Sequence, residues 1–176
     1  MKHLENYRVL IAKIDDFCNR VTEDLAEHIA CRPGCDGCCR HLTLFPVEAA
    51  ALISALAKAP PELAEQITER ARQATPDGDC PLLINGRCAL YESRPVICRT
   101  HGLPLLIRED AASRLDHCPL NFKTLESIPG HLILDITPLN AMLVSVNALF
   151  TAERPATFPE RERISISEAL LIRQRG

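Results

Sequence analysis

A chain of 176 residues, 47% of them hydrophobic, is long enough to bury one apolar core. Its 20 basic and 23 acidic residues leave a net charge of −3, which excludes a global field that would draw in nucleic acid or an anionic membrane. Seven aromatics with no Trp give little stacking surface for bases, so a nucleic-acid partner is not expected.

Charges at Glu5, Arg8, Lys13, Asp15 and Asp16 interrupt what an ordinary secretory signal needs as an apolar core, so a cytoplasmic location is expected. The longest apolar runs, Ala49 to Ala57 and Ala141 to Phe150, are about half of the roughly 20 residues that a membrane helix requires. No membrane partner is expected.

From Leu4, the apolar positions Leu4, Tyr7, Ile11, Ile14, Cys18, Val21 and Leu25 alternate steps of three and four. This spacing predicts a long N-terminal helix over 3–29, with a seam packed on a neighbour. Cys18 sits inside that seam as core filler, and His28 is read as a helix-end residue outside the metal set. Arg32-Pro33-Gly34 is expected to stop the helix. His41 to Phe45 reads as extended, Pro46 starts a helix through Lys58, and Pro60-Pro61 opens another to about Ala74.

Residues 75–79 form a loop that delivers the chain to Cys80. Asn85-Gly86 between apolar flanks predicts a hairpin on a type I′ turn, with Ile84 opposite Arg87 and Leu83 opposite Cys88. Pro81 ends that ladder, which leaves Cys80 free to turn toward Cys88 or toward another site. A second hairpin is expected from Leu103–Ile107 and Arg114–His117, and a strand from His131 to Ile136. Thr137-Pro138 then caps a helix to about Ala152, with Leu139, Met142, Leu143, Val146, Leu149 and Phe150 on its apolar face. The charged stretch Arg154 to Arg163 reads as an exposed connector to a final helix over 167–174.

Nine cysteines occur: Cys18, Cys31, Cys35, Cys38, Cys39, Cys80, Cys88, Cys98 and Cys118. In a reducing compartment this count favours metal ligation over structural disulfides, and the odd total points the same way. Cys31-x3-Cys35-x2-Cys38-Cys39 places four thiols in nine residues, directly after a helix end. Thiolates held so close without a cation repel one another, whereas a soft metal deprotonates and neutralises them. Cys38 and Cys39 are chain neighbours whose side chains point apart, so they suit two different metals or two sides of one cluster. Cys80, Cys88, Cys98 and Cys118 bring the ligand set to eight, enough for two zinc sites, two four-cysteine iron–sulfur clusters or a shared polynuclear site.

The Cys-x3-Cys-x2-Cys triplet resembles the spacing by which radical S-adenosylmethionine enzymes hold a four-iron cluster, and the Cys80-Pro81 and Cys118-Pro119 steps resemble ferredoxin ligands. Cys35-Asp36-Gly37-Cys38 is equally a zinc knuckle, so iron–sulfur stands only slightly ahead of zinc. Arg94 and Arg99 offset thiolate charge or make ion pairs that fix the turn. His101 and His117 are candidates for hydrogen bonding around the metal or for replacing a thiolate.

The run Cys31-x3-Cys35-x2-Cys38-Cys39, Cys80-Pro81-Leu82-Leu83, Gly86-x-Cys88, Tyr91-x2-Arg94-Pro95 and Cys98-Arg99 resembles the Cys-x3-Cys-x2-Cys-Cys family of zinc- or iron-chelating domains. That resemblance spans about 31–118 and implies eight characteristic cysteines, with Cys18 outside the pattern. The expected architecture is a single α+β domain over 1–176, mostly helical and stapled by metal. It has an irregular cysteine-bearing middle over 31–118, one or two β-hairpins, and C-terminal helices over 138–174.

The leading function is metal chelation. Alternatives are an iron-dependent or iron–sulfur enzyme acting on a protein or small molecule, a zinc-stabilised interaction module, and, last, thiol–disulfide exchange. No catalytic residue stands out, and the seven glycines form no Gly-x-Gly loop for a nucleotide or methyl donor.

Overall fold

The structure is a computed structural model that describes residues 4–32, 34–109, 112–153, 158 and 160–172. Helix α1 (Glu5–Asp24) buries Tyr7, Leu10, Ile14, Cys18 and Val21, so Leu10 takes the inward place that the spacing assigns to Ile11. The helix ends short of residue 29, in a tight turn over Ala26–His28, and residues 1–3 lie outside the described residues. The reason is tertiary. His28 O accepts from Phe122 N at 2.7 Å, Ala30 N donates to Asn121 Oδ1 at 2.9 Å, and His28 Nδ1 meets Thr124 Oγ1 at 2.8 Å. From His28 onward the polar groups thus bond to a distant segment instead of extending the helix.

Strand β1 (Thr43–Leu44) leads into α2 (Pro46–Leu56), and α3 (Pro61–Gln73) follows; each helix begins on a proline, whose missing N–H costs nothing in a first turn. Strands β2 (Leu83–Ile84) and β3 (Arg87–Cys88) pair in the expected register, Leu83 with Cys88 and Ile84 with Arg87. Asn85 and Gly86 at the turn have φ of 50° and 71°, the left-handed pair that a type I′ turn demands. A five-residue helix that the apolar spacing does not reveal, α4 (Val96–Thr100), carries Cys98.

Strands β4 (Leu105–Glu109) and β5 (Ala112–Asp116) form the second hairpin, which begins just past Pro104. The strand expected over His131–Ile136 shrinks to β6 (Leu134–Asp135), parallel to β4 and preceded by a tight turn over Gly130–Leu132. Helix α5 (Ile136–Ala152) is capped by Asp135, whose carboxylate accepts from Thr137 N at 3.0 Å, so the cap lies two residues before the expected Thr137. Leu139, Leu143 and Phe150 are buried, but Met142 and Leu149 are 48% and 57% exposed, because the packed side of α5 is narrower than its apolar sequence.

Strand β7 (Ile164–Ser165) pairs with β1, and Ser165 and Glu168 cap α6 (Ile166–Leu171) reciprocally. Pairing with β1 starts that helix one residue before the expected Ser167, and residues 173–176 lie outside the described residues, as do 154–157 and 159 of the expected connector. The fold is α+β and mostly helical. Among the described residues, no helix is long and apolar enough to cross a membrane.

Among the described residues two large apolar cores form, with a small third cluster of Ala49, Ile164 and Ala169. One joins α1, α4 and α5 through Leu10, Ile14, Val96, Leu139 and Leu143; the other joins α2, α3, α6 and the β2–β3 hairpin through Leu52, Ile67, Leu82, Ile166 and Leu170. Glu48 links these layers. It is 3% exposed, and its carboxylate accepts from Phe45 N at 3.1 Å and from Val96 N at 3.0 Å, so the first turn of α2 holds the first turn of α4.

Burial raises the Glu48 pKa above the ordinary carboxylate value, and the two backbone N–H donors offset this only in part. A raised folded-state pKa means that the stability this group contributes is complete below the unfolded value and is lost as pH rises through the folded value. Glu48→Gln turns an amide NH2 toward one backbone donor and is expected to cost about 1–3 kcal/mol in urea unfolding. The loss should be smaller at roughly pH 8 than at roughly pH 4, since only the parent then carries a buried charge.

Candidate metal centre

The loop after α1 makes two successive tight turns, closed by Cys35 N to Arg32 O at 2.9 Å and Cys39 N to Asp36 O at 2.8 Å. Cys31, Cys35 and Cys38 are exposed along it, and Cys39 is half-buried. Residues 39–41 then run antiparallel to 78–80. His41 N donates to Gly78 O and Cys80 N to Cys39 O, each at 3.1 Å, and Arg40 and Asp79 form the bridge between them. The chain therefore leaves the cysteine loop at Cys39 and returns beside it at Cys80.

From Cys80 the hairpin folds back at once. Leu83 N donates to Cys80 O at 2.9 Å and Ala89 N to Leu82 O at 2.8 Å, while Cys80 and Cys88 both pack on the second core. The hairpin tip leans on the cysteine loop: a Cβ on Gly86 would lie 3.6 Å from Gly34 Cα.

Two arginines hold the segment that carries Cys98. Arg99, 9% exposed, donates from Nη1 to Asp15 Oδ2 on α1 at 2.7 Å, from Nε to Arg94 O at 2.7 Å, and from Nη2 to Glu92 O. Of the two roles expected for it, Arg99 takes the ion pair that fixes the turn. Arg94 lies with its guanidinium carbon 3.5 Å from the Tyr91 ring centroid and donates to Cys98 O at 3.5 Å. Tyr91 is 55% exposed, so it covers the arginine and not a core edge. Burial raises the pKa values of both Cys88 and Cys98, and the Arg94 cation offsets a small part of that rise.

Cys118 follows β5 and approaches Cys31 across Gly102. With φ at +85°, Gly102 leaves room that a Cβ would fill, 3.3 Å from Cys118 Cβ and 3.6 Å from Cys31 Sγ. Asn121, 1% exposed, binds this junction together: its Nδ2 donates to Gly102 O at 2.8 Å and lies 3.5 Å from Cys31 Sγ. Neither Asn121 nor Glu48 has a signature visible in the chain order. His101 is the exposed cap of α4, and His117 Nδ1 lies 3.1 Å from Cys118 O with its ring edge-on to Phe122. Cys18 is buried and donates to Arg99 O at 3.6 Å, a packing role on α1 as expected.

All nine thiols are free. Burial, helped by the neighbouring sulfurs of Cys39 and Cys88, pushes Cys80 up to about 11 and Cys98 up to about 12. Cys38, Cys39 and Cys88 are raised by the same desolvation. These thiols feel one another's charge, yet among the described residues no group of three or more His, Cys, Asp or Glu side chains is placed to hold an ion as it stands. The donor set suits a thiophilic metal: soft sulfurs in a multiple of four, with the Arg94 cation beside them.

Residues 30–119 match the model of the CxxCxxCC family, described as a putative zinc- or iron-chelating domain. The chain belongs to this family. The matched stretch takes in all eight cysteines from Cys31 to Cys118 and leaves out Cys18, and the first spacing here is three residues where the family's name prints two. Neither a curated protein nor a solved structure matches the chain. Helices α1, α5 and α6 lie outside the matched stretch.

Arg99→Lys keeps the charge but loses the planar fork that serves Asp15, Arg94 and Glu92 together. Unfolding in denaturant is expected to show a loss of about 1.5–3 kcal/mol, the range for hydrogen bonds to a charged group.

Proposed function

We propose that this chain chelates metal as thiolates of Cys31, Cys35, Cys38, Cys39, Cys80, Cys88, Cys98 and Cys118, and that the metal is iron in iron–sulfur form. The observation that carries chelation is the return of the chain at Cys80 to the side of Cys39, which joins the two halves of a cysteine set already free of disulfides. Packing alone gives no reason for so many half-buried thiols in one region, because each would be costly to ionise and none gains a strong partner.

Iron is preferred over zinc on the chain's own pattern. The Cys31-x3-Cys35-x2-Cys38 loop and the Cys80-Pro81 and Cys118-Pro119 steps match ligand runs of clusters. A cluster bound there would supply one-electron chemistry. Asn121 would donate to the Cys31 sulfur, Arg94 would offset charge near Cys88 and Cys98, and the apolar cores would exclude water from one side.

Anaerobic purification followed by elemental analysis and a visible spectrum tests this. A brown protein holding iron and acid-labile sulfide is expected. A colourless zinc protein would overturn the iron assignment, and a folded, metal-free protein would overturn chelation itself. Cys18→Ser is expected to keep the metal content of the parent and to cost about 1 kcal/mol of packing stability, whereas Cys35→Ser lowers the metal content.

A further inference from the structure

We infer, resting on the chelating reading above, that Asn121 is a positioning residue for one metal ligand: its buried amide donates an N–H···S hydrogen bond to the Cys31 thiolate and quenches its reactivity. Of the three exposed thiols Cys31, Cys35 and Cys38, the first is then the least reactive. Chemistry at the exposed edge of the centre starts at Cys35 or Cys38 instead.

Asn121 is 1% exposed, so each polar atom of its amide needs a partner. The backbone fixes which way the amide lies. Its Oδ1 accepts from Ala30 N at 2.9 Å and its Nδ2 donates to Gly102 O at 2.8 Å, so exchanging the two atoms would set donor against donor and acceptor against acceptor. An amide nitrogen carries a second N–H. Among the described residues, the acceptor found for it is the Cys31 sulfur, 3.5 Å from Nδ2. A neutral thiol is a weak acceptor that returns an equally weak S–H bond to Oδ1 at 3.7 Å, whereas a thiolate has lost that proton and accepts a stronger, charge-assisted bond. The amide is thus preset for the ionised sulfur.

The turn that carries Asn121 is built at a conformational cost. Phe122 has a φ of 56°, in the left-handed region that a bulky side chain rarely adopts, and its N–H is bonded to His28 O at 2.7 Å. On the other side, Asn121 N donates to Cys118 O at 2.9 Å. Both bonds hold Asn121 at the junction where Gly102, without a Cβ, leaves space beside Cys31 Sγ. An apolar side chain filling this place would need neither the strained neighbour nor the polar head.

Cys35 and Cys38 are exposed on the same loop, and among the described residues no side-chain amide reaches either sulfur. A hydrogen bond draws electron density from a thiolate and must be broken before that sulfur attacks, so Cys31 is held back and its two loop neighbours are not.

Limited alkylation of the anaerobically purified, metal-loaded full chain with iodoacetamide tests this, with the rate at each cysteine read by peptide mass mapping. Each event forms an S–C bond and releases iodide. On the parent, Cys31 is expected to react roughly ten-fold more slowly than Cys35, the factor that one hydrogen bond to a charged group allows. Asn121→Asp keeps the side-chain shape and an oxygen for Ala30 N but removes both N–H groups, and should bring Cys31 up to the rate of Cys35 while leaving Cys118 and the metal content as in the parent. Equal rates at Cys31 and Cys35 in the metal-loaded parent would overturn the inference and leave chelation intact. So would a variant in which Cys31 and Cys118 speed up together, the mark of a merely loosened junction. A metal-free parent would instead overturn the chelating reading, and this inference with it. If Asn121→Asp fails to fold, the ratio of Cys31 to Cys35 rates in the parent decides alone.

Discussion

One buried guanidinium organises the region where the thiols gather. Arg99 lies between α1 and the turn before α4, and a cation in that place is tolerable only if its N–H groups find acceptors. Asp15 supplies the counter-charge, and the carbonyls of Glu92 and Arg94 take the other donors. The Cys18 thiol adds a weak bond to the carbonyl of Arg99 itself. Because Glu48 grips the start of the same short helix, α4 is held at both ends by polar contacts, and Cys98 is placed by them. Five residues could not hold a helical shape unaided.

Around that fixed point, burial and charge pull in opposite directions. The half-buried thiols are desolvated enough to keep their protons, and each would make its neighbours harder to ionise. Beside them, the Tyr7 hydroxyl is buried with no hydrogen-bond partner among the described residues and is raised by the same desolvation, with Glu48, Arg99 and Cys98 all within electrostatic reach. The thiophilic cation proposed above would exchange the protons of these sulfurs for coordinate bonds.

Much of this is legible in the sequence because the controlling physics is local. Asn85-Gly86 set the hairpin register, since few residue pairs accept two positive φ values in succession, and Pro46 and Pro61 marked helix starts for a similar reason. Where distant groups decided, the pattern misled. Helix α1 stops early because residues 121–124 capture the polar groups that follow it, and Met142 and Leu149 stay exposed although their spacing matches a packed face. The cysteines announce themselves by density, but the approach of Cys80 to Cys39 does not, because it joins chain segments 41 positions apart.

That return has a consequence for the α2–α3 pair. Residues 41 and 78 are bonded to each other, so everything between them is an excursion that leaves and rejoins the cysteine loop at one place. Lengthening a connection whose ends are already pinned adds little closure entropy, on the order of 0.6 kcal/mol for each doubling. Glu48 and the apolar face of α2 tie the first half of the excursion to the rest, Ile67 and Ala71 tie the second, and at the bend between them Lys58 and Pro60 are exposed and outside that packing. Natural variation in chain length, or a grafted reporter, can be accommodated at that bend without displacing a single sulfur.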